Sequence, residues 1–330
     1  MKIKSIEYYL PSKVLSNMDL QAAFPEWDSK KTEQKIGISE RRVVENAETA
    51  LDLGEMAAKK VLKTNNRADV DFLLFCTQSP DYYLPTTACI LQKRLQLNES
   101  VGALDFNLGC SGFVYGLCLA KGLIASGASR NVLLVVAETY SKHIYKKDIA
   151  NLSIFGDGAA AVIVTKHEHD CLGEFVLGTD GSGVNNLIVR NGGFRNCRNS
   201  SPVEISSGSS SLYTENHLYM NGPEVFNFTI NKIPDLVTQV LEKNAVSLMD
   251  VDYFVFHQAN SFMLEYLRKK IGIPQERFYN NLKNTGNTVS ATIPIAIKDC
   301  IERGLIKDGY KVMVVGFGVG YSWAATIIKI

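Results

Sequence analysis

The sequence predicts an α/β protein whose two halves are versions of one strand–helix unit. Three segments of the first half recur in the second half: 69–78 at 250–258, 109–127 at 286–304, and 131–136 at 311–315. The first pair opens on the same Asp-Val-Asp tripeptide, and the second pair keeps one constant offset. The third pair is continuously apolar, which is typical of strands in sheets that are covered on both faces.

Apolar periodicity and turn residues predict the individual elements in chain order. They are a strand over 3–10 ended by Pro11, a loop or helix over 26–34, a helix over 48–62, a buried strand reaching residue 78, a helix near 87–95, a helix from Cys110 to Gly127, a strand over 131–136 and a glycine turn into a strand at 155–164. The glycine spacing at 155–164 fits neither a Walker loop nor a dinucleotide fingerprint, so no nucleotide site is expected there.

Three regions follow from the repeat. Residues 1–170 form the first half, residues 171–225 form a loop-rich connection, and residues 226–330 form the second half. Within the connection, the stretch 181–221 is rich in Ser, Gly and Asn, including the run 206–211, and we expect a lid or a surface excursion there. His167 and His169 lie two apart after a strand, which favours a solvated loop over a metal site.

Composition excludes several classes of protein. The 330 residues are 46% hydrophobic, enough for two cores, and 35 basic against 34 acidic residues leave a net charge of +1. A balanced charge predicts neither nucleic-acid nor membrane binding. Seven scattered cysteines without a C-x-x-C pair indicate a reducing compartment, and the absence of a signal-like apolar start suggests a cytoplasmic protein.

Cys110 stands where a short apolar run breaks at Gly109 and helical spacing begins. A thiol at a helix N-terminus is exposed to unpaired N–H groups, which can lower a cysteine pKa to roughly 3.5–7.5. The alternative is a small buried hydrophobic residue, the commonest environment of a free cysteine.

The repeat places two more reactive residues beside Cys110. Asn287 matches Cys110 in the repeat. His257, in the segment 250–258, falls opposite Cys76 in the segment 69–78. If the halves pack about a pseudo-twofold axis, the matching helix N-termini and the end of the His257 strand converge on one pocket. The alternative is a structural histidine and an ordinary N-cap asparagine.

The motifs of the chain resemble those of the β-ketoacyl-acyl-carrier-protein synthase III family over essentially its whole length. They are Gly109-Cys110-Ser111-Gly112-Phe113, Phe155-Gly156-Asp157-Gly158-Ala159, His257-Gln258-Ala259-Asn260, Gly286-Asn287-Thr288 and Gly316-Phe317-Gly318-Val319-Gly320. The resemblance implies the thiolase fold, with five layers α-β-α-β-α built from two pseudo-twofold-related halves, usually as a homodimer. It also implies Cys110 as the nucleophile and His257 and Asn287 as its catalytic partners.

Such a site has a definite chemistry. The Cys110 thiolate attacks an acyl thioester, and the backbone N–H groups of Cys110 and Val319 are the candidate oxyanion donors, each worth about 3–4 kcal/mol of barrier. A malonyl thioester then loses carbon dioxide, and His257 and Asn287 donate hydrogen bonds to the enolate oxygen. The substrates implied by the resemblance are carried on phosphopantetheine, either of CoA or of acyl carrier protein, with no bound cofactor and no metal.

The departures from the family concern substrate. Members that use acetyl-CoA have a Trp that stacks on adenine and an Arg near the phosphates, where this chain has Lys31 and Ile149; Trp27 lies close by. Asn260, Phe317, Leu84 and Phe262 are the expected residues of the acyl and substrate pocket, with Phe262 in place of a carrier-associated Arg and Leu84 in place of a Phe from the partner subunit. The basic run Arg268-Lys269-Lys270 is the expected patch for an acidic carrier protein.

Other functions stay open at this point. An acyltransferase of the same fold would pass the acyl group to an oxygen or nitrogen nucleophile without decarboxylation. A catalytically silent partner subunit would only shape an acyl tunnel, but the presence of Cys110, His257 and Asn287 together argues against it. A thiolase is disfavoured because the C-terminal glycine loop, 316–320, lacks the second cysteine.

Overall fold

The computed structural model describes residues 1–207 and 211–330, which form two main sheets and the helices around them. The strands are β1 (Lys2–Tyr9), β2 (Val14–Ser16), β3 (Glu40–Arg42), β4 (Phe72–Cys76), β5 (Gly102–Phe106), β6 (Asn131–Glu138), β7 (Gly158–Thr165), β8 (Val176–Thr179), β9 (Leu187–Val189), β10 (Ile205–Ser206), β11 (Leu212–Tyr213), β12 (Leu218–Met220), β13 (Tyr253–Phe256), β14 (Lys311–Gly318) and β15 (Ser322–Lys329). The helices are α1 (Asn17–Ala23), α2 (Ser29–Ile36), α3 (Ala50–Leu62), α4 (Thr87–Leu95), α5 (Gly112–Ala125), α6 (Ile149–Leu152), α7 (Gly222–Lys243), α8 (Ser261–Ile271) and α9 (Thr292–Glu302).

The two main sheets repeat one topology. The first has the order β1-β7-β6-β4-β5 and the second the order β8-β15-β14-β13. In each sheet the first long strand runs parallel to the second, β4 to β6 and β13 to β14, and an antiparallel strand follows. The place of β5 is taken in the second sheet by a parallel bridge between Phe254 and Phe278. The predicted duplication is therefore confirmed strand by strand.

Side-chain alternation divides the protein into five layers. Leu74 and Cys76 of β4 face a central core that contains α5, α9 and the inner faces of both sheets. Leu73 and Phe75 face the opposite way, toward α3 and α4. The outer face of the second sheet packs against α7 and α8 in the same manner. This arrangement is the predicted α-β-α-β-α order.

The repeated Asp-Val-Asp motif fastens the start of matching strands. The Asp71 carboxylate accepts hydrogen bonds from the backbone N–H groups of Arg130 (2.8 Å) and Asn131 (3.0 Å). The Asp252 carboxylate accepts the N–H of Lys311 at 2.8 Å. In both halves an aspartate before the first parallel strand thus caps the beginning of its neighbour, which sets the register of the pair.

The connection between the halves contains more regular structure than expected. Strand β8 lies within 171–225 but belongs to the second sheet, and α7 begins before residue 226. Part of the serine-rich run, residues 208–210, lies outside the described residues. The division at residues 170 and 225 stays a prediction.

The structure adds two observations on membranes and metals. Within residues 1–207 and 211–330, no helix is long and apolar enough to cross a membrane. Over the same residues no three His, Cys, Asp or Glu side chains are grouped as a metal site would require. The His167 ring lies on the surface, where it contacts the backbone of His169.

Two glycines of α5 allow a matched test of its packing. A Cβ at Gly112 would lie 2.4 Å from Cys76 Sγ, whereas a Cβ at Gly122 would meet nothing within 4 Å. We expect Gly112→Ala to lower the free energy of unfolding by about 1–3 kcal/mol through overpacking. Gly122→Ala should raise it by about 0.5–1 kcal/mol, because alanine suits an exposed helix interior better. Urea titration of both variants measures the difference, and equal midpoints would contradict the close packing of α5 on β4.

Candidate active site

Cys110 lies in the turn between β5 and α5. The turn closes through the Gly112 N–H, which donates to the Gly109 carbonyl at 2.8 Å, and α5 begins at Gly112 with Ser111 as its N-cap. The Ser111 and Ser322 hydroxyls share a buried hydrogen bond of 2.6 Å, which ties the start of α5 to β15. Cys110 therefore stands at the N-terminal end of a helix held from both halves of the chain.

Strand β14 passes so close to Cys110 that its glycines are required. A Cβ on Gly318 would lie 2.9 Å from Cys110 Sγ, and a Cβ on Gly316 would lie 2.9 Å from the Cys110 carbonyl oxygen. This approach brings the backbone N–H groups of Cys110 and Val319 onto the sulfur, where both favour the thiolate. The two predicted oxyanion donors are thus close together in space.

The electrostatics of the thiol differ from the sequence-based expectation. Burial raises the pKa of Cys110 to about 12, and the carboxyl of Glu138 adds to the effect, while the two N–H groups only partly oppose it. The expected lowering of the pKa was wrong because Cys110 is only 7% exposed, so loss of hydration outweighs the helix terminus. At neutral pH the side chain of Cys110 is therefore a thiol.

His257 follows β13 directly and its backbone N–H continues the strand pairing to the Val315 carbonyl at 2.8 Å. The ring is buried, and its Nδ1 lies 2.7 Å from the hydroxyl of Thr292. Burial lowers the pKa of His257 to about 3. The imidazole is therefore neutral at physiological pH, as is the thiol of Cys110.

Asn287 is held by the loop that precedes β7. Its N–H donates to the Ile154 carbonyl at 2.9 Å, and its carbonyl accepts the Gly156 N–H at 3.0 Å. Its side-chain Oδ1 accepts the N–H of Val289 at 2.9 Å. Because the oxygen of the amide is occupied, the Nδ2 group is left to donate into the site.

These three residues share one cavity. Its wall is formed by Cys110, Tyr140, Ile154, Phe155, Leu187, Met220, Gly222, Val225, Thr229, His257, Ala259, Asn260, Met263, Asn287, Phe317 and Gly318. None of these residues is an Asp, Glu, Lys or Arg. The structure thus brings together Cys110, His257, Asn287, Asn260 and Phe317, while Leu84 and Phe262 do not line this cavity.

The two absent residues lie on the surface. Leu84 is 80% exposed. Phe262 is half exposed and stacks on Phe226, with the ammonium of Lys35 over its ring at 5.7 Å. Both were predicted as pocket residues from single aligned positions, and in this single chain they lie outside the pocket.

The predicted basic patch is largely neutralised within the chain. Arg268 forms two hydrogen bonds with Glu265, at 2.6 and 2.8 Å, and Lys269 contacts the same carboxylate at 3.3 Å. Lys270 donates to the Ile230 carbonyl. Lys270 has no ion pair among the described residues, and neither do Lys30, Lys31, Lys35 and Lys283, which lie on α2 and in the loop before Asn287.

The residues that replace the CoA contacts have different surroundings. Lys31 is exposed in the first turn of α2, where Asp28 caps its N–H. Ile149 is buried at the start of α6, so this position points into the protein. Trp27 is half-buried in the turn that follows α1.

Sequence reasoning missed three residues next to the reactive ones. Tyr140 lines the cavity, Thr292 contacts His257, and Glu138 is buried between the halves, where it accepts hydrogen bonds from Gln78 N–H and the Ser290 hydroxyl. Burial raises the pKa of Glu138 to about 8. Thr292 falls within the repeated segment 286–304, but nothing in the pattern shows which of its side chains meets His257.

Fold and cavity together define a thiolase-fold enzyme, and comparison with known proteins gives the family. Two family models match, described as 3-oxoacyl-[acyl-carrier-protein] synthase III over residues 104–181 and as its C-terminal part over residues 241–330. The chain belongs to the 3-oxoacyl-, or β-ketoacyl-, acyl-carrier-protein synthase III family.

Individual relatives are similar to this chain over nearly their full length. A β-ketoacyl-[acyl-carrier-protein] synthase III of Clostridium perfringens is 36% identical over 325 residues, covering 98% of this chain and 97% of the relative. A crystal structure of a 3-oxoacyl-(acyl-carrier-protein) synthase III is 44% identical, with a TM-score of 0.98 over 100% of this chain and 99% of that one. The enzyme from Burkholderia xenovorans is 35% identical, with a TM-score of 0.91 over 100% and 93% of the two chains.

The raised pKa of Cys110 has a measurable consequence. Only the thiolate reacts with iodoacetamide, and far below a pKa of about 12 its fraction grows tenfold per pH unit. We expect alkylation of Cys110 in the free enzyme to accelerate about tenfold from pH 7 to 8 and again from 8 to 9. Peptide mass spectrometry follows the rate, and the exposed Cys197 in the same digest shows that the reagent is active. A rate that is already constant above about pH 7 would instead indicate a lowered pKa.

Proposed function

We propose that this chain catalyses a decarboxylative Claisen condensation, joining an acyl starter carried on Cys110 to a malonyl thioester of acyl carrier protein. The product is a β-ketoacyl thioester. The observation that carries the proposal is the shared cavity of Cys110, His257 and Asn287, in which a nucleophile faces two neutral hydrogen-bonding groups. The names of the relatives agree with this reaction.

The first half-reaction acylates Cys110. The sulfur attacks the thioester carbonyl, the starter's thiol leaves with the proton of Cys110, and the negative charge on the tetrahedral oxygen is held by the N–H groups of Cys110 and Val319. Gly318 keeps the space beside the sulfur open for this oxygen, because any Cβ there would touch Sγ. Backbone donors of this kind act without moving, which is the source of their effect on the barrier.

The second half-reaction needs a stabilised enolate rather than a strong base. The bond between the malonyl carboxylate and the α-carbon breaks, carbon dioxide leaves, and the electron pair moves onto the thioester oxygen. His257 and Asn287 donate hydrogen bonds to that oxygen, and the enolate carbon attacks the acyl-Cys110 carbonyl. The bond between that carbonyl carbon and Cys110 Sγ then breaks, the β-ketoacyl thioester leaves, and the released thiolate takes up a proton from water. With no Lys or Arg in the cavity wall, no positive charge holds the carboxylate, which favours its departure as neutral carbon dioxide.

Carrier protein docks, in this proposal, beside α2 and α8. The surface consists of Phe262 and Tyr266, which pack on Phe226, together with the unpaired lysines Lys30, Lys31, Lys35 and Lys283. Met263 of α8 and Val225 of α7 line the cavity, so the two helices that carry the aromatic part of this surface also form part of the cavity wall. An acidic partner with a small apolar patch would match both components. We propose this surface in preference to Arg268, Lys269 and Lys270 because those side chains already have partners within the chain.

We also propose that the enzyme is a homodimer. Strand β5 is an open edge of the first sheet, and Leu104 on it is exposed. The exposed apolar side chains of Tyr82, Tyr83 and Leu84 lie in the segment before α4, whose first N–H groups are bound by Asp105 of β5. A sheet edge with adjoining apolar surface is a natural pairing site, and it would account for the exposure of Leu84.

The proposed roles separate in half-reaction assays. Cys110→Ser should abolish acyl-enzyme formation, because serine lacks the nucleophilicity of a thiolate. His257→Ala and Asn287→Ala should still be acylated but should lose about a hundredfold or more in malonyl decarboxylation, since each removes a donor to the enolate. Intact-protein mass spectrometry measures acylation, and release of labelled carbon dioxide measures decarboxylation. Loss of acylation with decarboxylation retained would reverse the roles, and a product carrying the acyl group on oxygen or nitrogen would indicate an acyltransferase instead.

The replacements at Lys31 and Ile149 predict which acyl starter the enzyme prefers. Without an aromatic stack at Lys31 or a guanidinium at Ile149, acetyl-CoA loses two contacts of roughly 1–3 kcal/mol each, about a hundredfold in affinity. We expect kcat/KM for acetyl-CoA to be lower than for longer acyl groups or for starters on carrier protein. Lys35→Glu is the matched control, since it should lower kcat/KM for carrier-borne substrates more than for acyl-CoA. If acetyl-CoA is the best substrate, the replacements do not determine donor choice.

A further inference from the structure

A neutral imidazole carries a single N–H, and its position decides what His257 can do. In the proposed condensation, His257 must donate from Nε2, because Nδ1 already faces Thr292 at 2.7 Å. A proton on Nδ1 would leave a lone pair on Nε2, which repels an enolate oxygen. Because burial lowers the pKa of His257, the ring does not carry a proton on both nitrogens at physiological pH. Some group must therefore hold the proton on Nε2.

The hydroxyl of Thr292 has one proton and two neighbouring acceptors. They are His257 Nδ1 at 2.7 Å and the Val289 carbonyl at 3.0 Å. The Val289 carbonyl already accepts the backbone N–H of Thr292 itself, which closes the turn before α9. If the Thr292 hydroxyl donates to His257 instead, the Val289 carbonyl still has a hydrogen-bond partner. Among the described residues, His257 Nδ1 has no other hydrogen-bond partner than this hydroxyl.

We propose that the Thr292 hydroxyl donates to His257 Nδ1 and so fixes the ring as the Nε2–H tautomer, the form that can donate to the enolate oxygen. Thr292 is a positioning residue, since it acts through His257. The inference rests on the proposed condensation. No proton changes place in the decarboxylation: the carbon–carbon bond breaks, its electron pair moves to the thioester oxygen, carbon dioxide leaves, and His257 keeps its proton throughout.

The same turn also orients the second donor. Val289 has a φ of 56°, a left-handed conformation that is unusual for a β-branched residue, and it is fully buried. In this conformation its N–H binds Asn287 Oδ1, which leaves Nδ2 as the donor, while its carbonyl accepts from Thr292. Strained backbone of this kind is concentrated at functional sites. One short segment, 287–292, thus determines the hydrogen-bonding direction of both Asn287 and His257.

The surroundings of His257 leave this task to Thr292. Thr292 contacts the ring through Nδ1, and the ring of Phe317 lies nearly perpendicular to it with a centroid distance of 5.6 Å. Within residues 1–207 and 211–330, no carboxylate is found hydrogen-bonded to the ring, in contrast to catalytic histidines that are oriented by an aspartate. A neutral hydroxyl donor suits this role because it favours one tautomer without favouring the charged form.

The test compares Thr292→Val, which keeps the shape and removes the hydroxyl, with Thr292→Ser, which keeps it. We expect Thr292→Val to acylate Cys110 within about threefold of wild type but to decarboxylate malonyl-carrier protein about a hundredfold more slowly, the loss typical of one preorganised donor. Thr292→Ser should stay close to wild type in both half-reactions. Equal losses in acylation and decarboxylation, or an unimpaired Thr292→Val, would overturn the inference. If wild type itself fails to decarboxylate, the proposed function is wrong as well.

A second measurement uses the wild-type enzyme and does not depend on a variant that folds. Nitrogen-15 NMR of histidine-labelled protein distinguishes the two tautomers, and the signals of His257 are identified by their loss in His257→Gln. We expect the proton on Nε2 and a bare Nδ1 that accepts a hydrogen bond. A proton on Nδ1 would show that Thr292 accepts rather than donates, and would overturn the proposal whatever the kinetics of the variants.

Discussion

The structure depends on a pair of backbone hydrogen bonds between the two halves. The Asn287 N–H donates to the Ile154 carbonyl, and the Asn287 carbonyl accepts the Gly156 N–H. The loop before β7 therefore holds the segment before α9 through two hydrogen bonds. A Cβ on Gly156 would lie 2.5 Å from the Thr285 carbonyl oxygen, which is why only glycine fits there. Because Val289 and Thr292 follow in the same short segment, these two hydrogen bonds help to position the groups around His257. The glycine turn at 155–158 is therefore a structural clamp on the site.

The site is built from neutral groups under strong desolvation. Burial raises the pKa of Cys110 and lowers that of His257, so both are uncharged in the free enzyme. In the proposed reaction, negative charge develops on the tetrahedral oxygen and on the enolate, and each is assigned two N–H donors. Such donors gain most where water is excluded. In the proposed reaction, N–H donors would therefore stabilise these anions in a cavity whose described lining contains no Lys or Arg.

The architecture could be predicted from the sequence because the same strand–helix unit occurs in both halves of the chain. The repeat of Asp71 in Asp252 and the matched apolar strands are local patterns, and both halves fold accordingly. The sequence also predicted that Cys110, His257 and Asn287 share one cavity, because matched positions in a duplicated fold converge. The pKa of Cys110 was predicted in the wrong direction, because the close packing of β14 and the charge of Glu138 both act from distant parts of the chain. Thr292 was missed for the same reason: its contact with His257 joins two elements that no periodicity connects.

The duplicated frame places its reactive residues in pairs, Cys110 with Asn287 and Cys76 with His257. Cys110 and Asn287 both reach the one cavity, whereas Cys76 is fully buried and its thiol faces the Leu108 carbonyl. Two identical halves would present the same side chain twice at each pair, two thiols or two amides around a single centre. Joining the halves in one chain removes that symmetry requirement, so the backbone can stay matched while nucleophile, amide and imidazole diverge independently. The enzyme is a symmetric scaffold whose chemistry depends on the places where the symmetry is broken.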